Sequence, residues 1–250
     1  TPTLPATAGA FYSITARVAN AAGNLSLASA ARTFVLDTTA PATRGAITGV
    51  VDNVGLITGT VAADGRTDDS TPTITGTLSS ALAKGETLRI FNGSALLGSA
   101  TVNNSARTWS YTPTLPATAG TTYSLMARVA DAAGNLGVAS AARTFALDTT
   151  APTVASFSPL NGTFAVDLSA NILVNFSELI QRGKGTIQLR VGSSAGAIAE
   201  SFDAATSARL GISDGRLTIN PTSDLVPNSN YVLTIPAGSM TDQAGNPFAG

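Results

Sequence analysis

Short stretches in which apolar and polar side chains take turns recur through the chain: TITGTLS at 73–79, TLRIF at 87–91, TWSYT at 108–112 and YSLMARVA at 123–130. A period of two sends successive side chains to opposite faces, so each stretch predicts a β-strand with one face buried. The intervening AKGE, NGS, NNSAR and AAGN are dense in turn-forming residues. Extending the pattern predicts strands at 45–51, 56–61, 73–79, 86–91, 96–102, 107–112, 121–130 and 138–147, with Phe91, Trp109, Tyr111 and Tyr123 as the large core or rim side chains. Past residue 150 the same reading predicts strands at 153–157, 172–176, 186–191, 197–202, 210–213, 216–219 and 231–235, with NG, SDG and PNSN at the turns.

A repeat organises this pattern. Residues 1–41 and 112–152 align without a gap and are identical at 33 of 41 positions, as expected of a tandem duplication. Residues 1–39 are then the C-terminal part of one module and 40–150 a complete module. Residues 151–250 form a third module of another subtype, and Asp-Thr-Thr-Ala-Pro at 37–41 and 148–152 marks the seams. Seven or eight short strands in about 110 residues fit an antiparallel sandwich of immunoglobulin type. The predicted fold class is all-β: tandem antiparallel Ig-like β-sandwiches in an elongated array. The third module is expected to lack its last strand, which would leave a sheet edge exposed.

Composition narrows the chemistry. Histidine and cysteine are absent, which removes Ser-His and Cys-His catalysis, imidazole or thiolate zinc sites and disulfides. Fourteen basic and fifteen acidic residues give a net charge of −1, so neither nucleic acid nor an anionic membrane is an expected partner. No apolar run approaches the ~18 residues of a membrane span. Twelve of the acids are Asp and three are Glu, which places them in loops rather than on helices. Glu178 and Glu200 read as isolated carboxylates without a partner at glycosidase spacing, and the chain is not expected to be an enzyme.

The complete module, with DTTAP, VDNVG at 51–55, TDDSTPTITGT at 67–77 and DAAGN at 131–135, resembles the bacterial Ig-like repeats of large RTX-type and biofilm-associated surface adhesins. The third, through APTVASFSPLNGTFAVDLSANILVNFSE and NYVLTIPAGSMTDQAGNPFAG, is similar to the SbsA-type bacterial Ig-like domain. These resemblances imply a secreted or cell-surface extender whose seams are stiffened by calcium. It would partner neighbouring modules of its own chain and hold a distal binding domain away from the cell, whose adhesion ligand the sequence does not identify. A ligand- or glycan-binding module, or an accessory module of a secreted hydrolase or S-layer protein, is the alternative.

The residues point to Ca²⁺ as well, since short loops offering only Asp, Asn, Thr and backbone oxygens suit a hard divalent cation. Following the sandwich connectivity, Asp131 and Asn135 fall at the top of the complete module beside Asp37. Asp68 and Asp69 fall at its bottom beside Asp148, and Asp242 lies at the top of the third module facing them, so that Asp68, Asp69, Asp148 and Asp242 converge. Asp52 joins the candidate ligands, although the resembling repeats often carry two acids where this chain has Asp52-Asn53. Asn20 replaces Asp131 in the first copy, keeping an oxygen but losing the charge. The same acids also serve as Asx-turn acceptors of backbone N–H groups, a reading that stands beside the metal one.

Overall fold

In the computed structural model, residues 4–5, 7, 9–116, 118 and 120–250 are described; positions 1–3, 6 and 8 of the partial first module, and 117 and 119 of its second copy, lie outside them. The fold is all-β, with no helix among the described residues. Two strands, β1 (Ala10–Ile14) and β2 (Arg32–Leu36), form an antiparallel pair. There follow β3 (Gly45–Asp52), β4 (Gly59–Thr60), β5 (Gly65–Thr67), β6 (Thr73–Leu78), β7 (Thr87–Asn92), β8 (Ala95–Ser99), β9 (Thr101–Asn103), β10 (Thr108–Tyr111), β11 (Thr121–Ala130) and β12 (Arg143–Leu147). They are ordered β4-β3-β6-β10-β9 and β5-β12-β11-β7-β8, the two sheets of a sandwich, with β5 and β12 parallel.

The remaining strands are β13 (Val154–Ser158), β14 (Ile172–Phe176), β15 (Gln181–Arg182), β16 (Thr186–Val191), β17 (Ile198–Asp203), β18 (Leu210–Ser213), β19 (Arg216–Ile219), β20 (Tyr231–Thr234) and β21 (Met240–Thr241). They make sheets ordered β13-β14-β19-β18 and β17-β16-β20, with β15 and β21 as a separate pair. Alternation fills the core between them: Val174 and Phe176 of β14, Ile187 and Leu189 of β16, and Leu217 and Ile219 of β19 sit two apart and are buried together with Phe202, Leu210, Met240 and Phe248.

The described chain forms two compact units. One comprises Thr1–Thr48, Gly76–Tyr111 and Leu125–Ala142; the other comprises Gly49–Thr75, Thr112–Ser124 and Arg143–Gly250. In the first unit Trp109 is 3% exposed and donates to Thr77 O at 3.1 Å. Its ring lies against Gly76, where a Cβ would come within 2.3 Å of the indole. In the second unit Tyr123 and Phe145 stack with centroids 5.6 Å apart, both buried.

Two predicted strands are shorter than the alternation suggested. Of 56–61 only Gly59–Thr60 pairs, because Asn53 and Val54 are turned out of the ladder by N–H bonds to Asp69 and Asp52. Of 138–147 only Arg143–Leu147 is a strand. At Ser140 the side-chain hydroxyl, rather than a carbonyl, accepts the N–H of Ala127 at 3.0 Å, and this replaces a ladder bond. Ser29 does the same for Ala16 in the first copy, at 2.9 Å.

Candidate metal centre

The loop Asp242-Gln-Ala-Gly-Asn246 is built around one carboxylate. Oδ1 of Asp242 accepts the N–H groups of Ala244, Gly245 and Asn246 at 2.9, 2.7 and 2.9 Å, and Oδ2 accepts the Asn246 amide at 2.8 Å. Gly245 allows the turn with φ +112°. The same Asn246 amide donates to the main-chain oxygen of Asp148 at 2.7 Å, so the loop grips the linker through its backbone. Gln181 donates to the Asp242 carbonyl at 2.7 Å. Asp148 is fixed further by its N–H to Thr67 O at 2.9 Å. Its side chain accepts from Thr150 N–H at 3.2 Å and from the Arg66 guanidinium at 3.1 Å.

Glu178, two residues past β14, completes the group. One carboxylate oxygen from each of Asp148, Glu178 and Asp242 lies within 4.8 Å of the others. Burial, and then the negative charges of Asp242 and Asp148, hold the Glu178 carboxyl above the usual carboxylate range, with Arg66 opposing. Glu178 is the residue the sequence reading missed: its two partners are far away along the chain, and no local spacing signals their meeting.

Asp52, Asp68 and Asp69 belong to the same unit as this group. Asp52 is 6% exposed, accepting from Val54 N–H at 3.0 Å and from the Thr67 hydroxyl at 2.5 Å. Asp69 is fully buried, and its carboxylate accepts from Thr71 N–H at 2.7 Å, Thr71 O–H at 3.0 Å and Asn53 N–H at 3.2 Å. Its oxygens are committed to the turn, as the Asx alternative describes. Asp68 differs, because its buried Oδ1 has no hydrogen-bond partner. Its carboxyl is pushed up to about 6 by burial first, then by the charge of Asp52, with a smaller push from Asp242. Gly55, at φ +68°, makes room for it: a Cβ there would lie 2.2 Å from Asp68 Oδ2. Of the four carboxylates expected to converge, Asp148 and Asp242 do so with Glu178. Asp68 feels Asp242 through its charge, and Asp69 is tied within its own loop.

The other seam repeats the grip. Asn135 donates its N–H and its amide to Asp131 at 2.8 and 2.9 Å, and the amide also donates to Asp37 O at 3.1 Å. The Asn135 side-chain amide, followed by backbone N–H groups, holds the Asp131 carboxyl below its usual value. Asp37 itself accepts from Thr39 N–H at 2.9 Å. Neither Asp37 nor Asp131 belongs to a group of three acids among the described residues. Asn20 accepts N–H bonds from Ala22 and Asn24 at 3.0 Å, so an amide makes the same turn without charge.

The donor set fits a hard divalent cation: every candidate ligand is an oxygen, one buried carboxylate oxygen lacks a partner, and two acids are disfavoured in their charged form where they stand.

Residues 47–149 match a family described as a bacterial Ig-like domain, and residues 148–250 match a second family of the same description. Two bacterial Ig-like domains stand in tandem. The boundary between the two Ig-like domains falls at Asp148, the residue whose carbonyl Asn246 holds. Domains of this kind are typically non-catalytic and typical of extracellular or surface proteins. No helix among the described residues is long and apolar enough to cross a membrane. Among solved structures, a Streptomyces avermitilis alpha-L-rhamnosidase complexed with L-rhamnose is similar at 16% identity and a TM-score of 0.28; the similarity covers 82% of this chain and 24% of that enzyme. No curated protein matches the chain.

Proposed function

We propose that the chain is a structural extender segment of a secreted bacterial surface adhesin, of the RTX or biofilm-associated kind, whose second Ig-like domain is of SbsA type. Its Ig-like domains, divided as 1–39, 40–150 and 151–250, are stiffened at their seams by calcium. The observation that carries this reading is the acid group at the second seam: Asp148 from the linker, Glu178 after β14 and Asp242 from the clamping loop, within 4.8 Å of one another. Asp148, Glu178 and Asp242 would hold the ion, with Asp68 and Asp52 as further oxygen donors. Asp69 shapes the loop that presents them. Asp37, Asp131 and Asn135 are the counterpart at the first seam. Bound calcium supplies positive charge. Without it, Glu178 and Asp68 raise the free energy of the seam by repelling their neighbours; with it, the same charges favour closure.

Extracellular calcium modules bind with dissociation constants around 10⁻⁴–10⁻³ M, so ~10 mM calcium would add about 1.4–2.7 kcal/mol per site. The test is a calcium titration followed by calorimetry and small-angle scattering. Calcium should raise the melting temperature by several degrees and narrow the interdomain angle distribution, magnesium should do much less, and Glu178→Gln should abolish most of the gain. A melting temperature and scattering profile indifferent to chelator would overturn the proposal.

A further inference from the structure

We propose that the Arg66 guanidinium is a built-in counterion of the Asp148, Glu178 and Asp242 group, holding it in the absence of metal and swinging aside when calcium arrives, so that Arg66 sets the calcium concentration at which the site fills. The inference rests on the calcium reading above and adds to it the residue that tunes the site. Arg66 lies in β5, in the same compact unit as the three acids. Its Nη1 donates to Asp148 Oδ2 at 3.1 Å, and Asp148 Oδ1 accepts the Thr150 N–H at 3.2 Å, so each oxygen of that carboxylate already has a donor. Arg66, Asp148, Glu178, Leu179 and Gln243 line one open cavity of about 240 Å³. The guanidinium acts on Glu178 as well, favouring the ionised form of a carboxyl that burial, Asp242 and Asp148 all disfavour.

A guanidinium and a divalent cation on one carboxylate repel each other, because like charges a few Å apart do so strongly wherever water is partly excluded. An arginine side chain does not shed its proton to relieve that repulsion, so relief requires movement. Arg66 is placed to give way: its side chain is 47% exposed, whereas that of Asp148 is 12%. An ion pair so open to water contributes little, and the guanidinium can leave while the carboxylate stays. It also has a place to go. Arg66 lines a second, larger cavity of about 350 Å³ together with Thr58, Thr60, Asp64 and Gln243. Asp64 is fixed there, its Oδ1 accepting the Thr144 hydroxyl and its N–H donating to Thr144 O at 2.9 Å. A guanidinium turned into this cavity exchanges one carboxylate partner for another and releases Asp148 Oδ2.

The test is a titration of the 250-residue chain with calcium chloride at fixed ionic strength, read at the amide resonances of Leu179 and Gln243, which line the acid cavity. Arg66→Gln should bind calcium about three- to tenfold more tightly. Its calcium-free melting temperature should fall by about 1–3 °C as the resident counterion is lost. Asp64→Asn keeps an acceptor for Thr144 and suits the backbone at φ +58°. It should weaken calcium binding about twofold in the natural chain and leave it unchanged in the Arg66→Gln background, a non-additivity that a purely structural role for Asp64 does not produce. An Arg66→Gln chain that binds calcium no more tightly than the natural one overturns this inference alone and leaves the calcium reading standing, as does an equal Asp64→Asn loss in both backgrounds. Resonances that no calcium concentration moves overturn both.

Discussion

Asp68 combines three features that rarely coincide: a buried oxygen without a hydrogen-bond partner, two carboxylate neighbours, and a glycine opposite that admits it. The direction of its titration follows. Its carboxyl is raised from 3.8 to about 6, so between those values the folded chain holds a proton that the unfolded chain has released. Its contribution to stability is full below the lower value and is lost as pH climbs through the upper one. Calcium-free protein should accordingly melt at a higher temperature at pH 5 than at pH 7. Asp68→Asn should flatten most of that slope, leaving a smaller part from Glu178, which is raised in the same direction. Scanning calorimetry of both proteins across that interval checks the sign. Asp68 and Asp69 are adjacent and look alike in the sequence. Only the structure separates them, because Thr71 and Asn53 consume the hydrogen-bonding capacity of one and leave an oxygen of the other bare.

For the strands, alternation was legible wherever a full face is buried: 73–79 appears as Thr73–Leu78, 121–130 as Thr121–Ala130 and 172–176 as Ile172–Phe176. It gave no warning of Gln181–Arg182 or Met240–Thr241, two-residue pieces too short to show a period. Their pairing depends on where distant loops bring the backbone. Close strand packing also sets requirements that composition hides. At Gly76 of β6 a Cβ would meet Ala46 O at 2.0 Å and Trp109 at 2.3 Å. Gly76→Ala should therefore lower stability by about 1–3 kcal/mol or more, read as a fall in the denaturant midpoint. Gly49→Ala, whose Cβ would approach the Thr75 hydroxyl at 2.9 Å, should lose less, because that side chain can rotate.

The duplicated segment offers a comparison made by the chain itself. Tyr12 and Phe34 stack with centroids 5.5 Å apart and rings inclined by 21°, against 5.6 Å and 23° for Tyr123 and Phe145. Phe145 is 1% exposed. Phe145→Ala should cost about 3–5 kcal/mol as a buried aromatic truncation. Chemical denaturation measures the loss, and a fall of less than about 1 kcal/mol would contradict that burial. Local interactions explain what the two copies share. The ring pair, the Ser–Ala hydroxyl bonds and the Asx loops involve residues close in sequence or across one strand pair, so near-identical text rebuilds them in both places. Burial and the meeting of Glu178 with Asp148 and Asp242 depend on strands brought from far along the chain. Hydrophobic and electrostatic free energies respond to whatever surrounds a side chain, and those surroundings are supplied by the assembled sheets rather than by neighbours in the sequence.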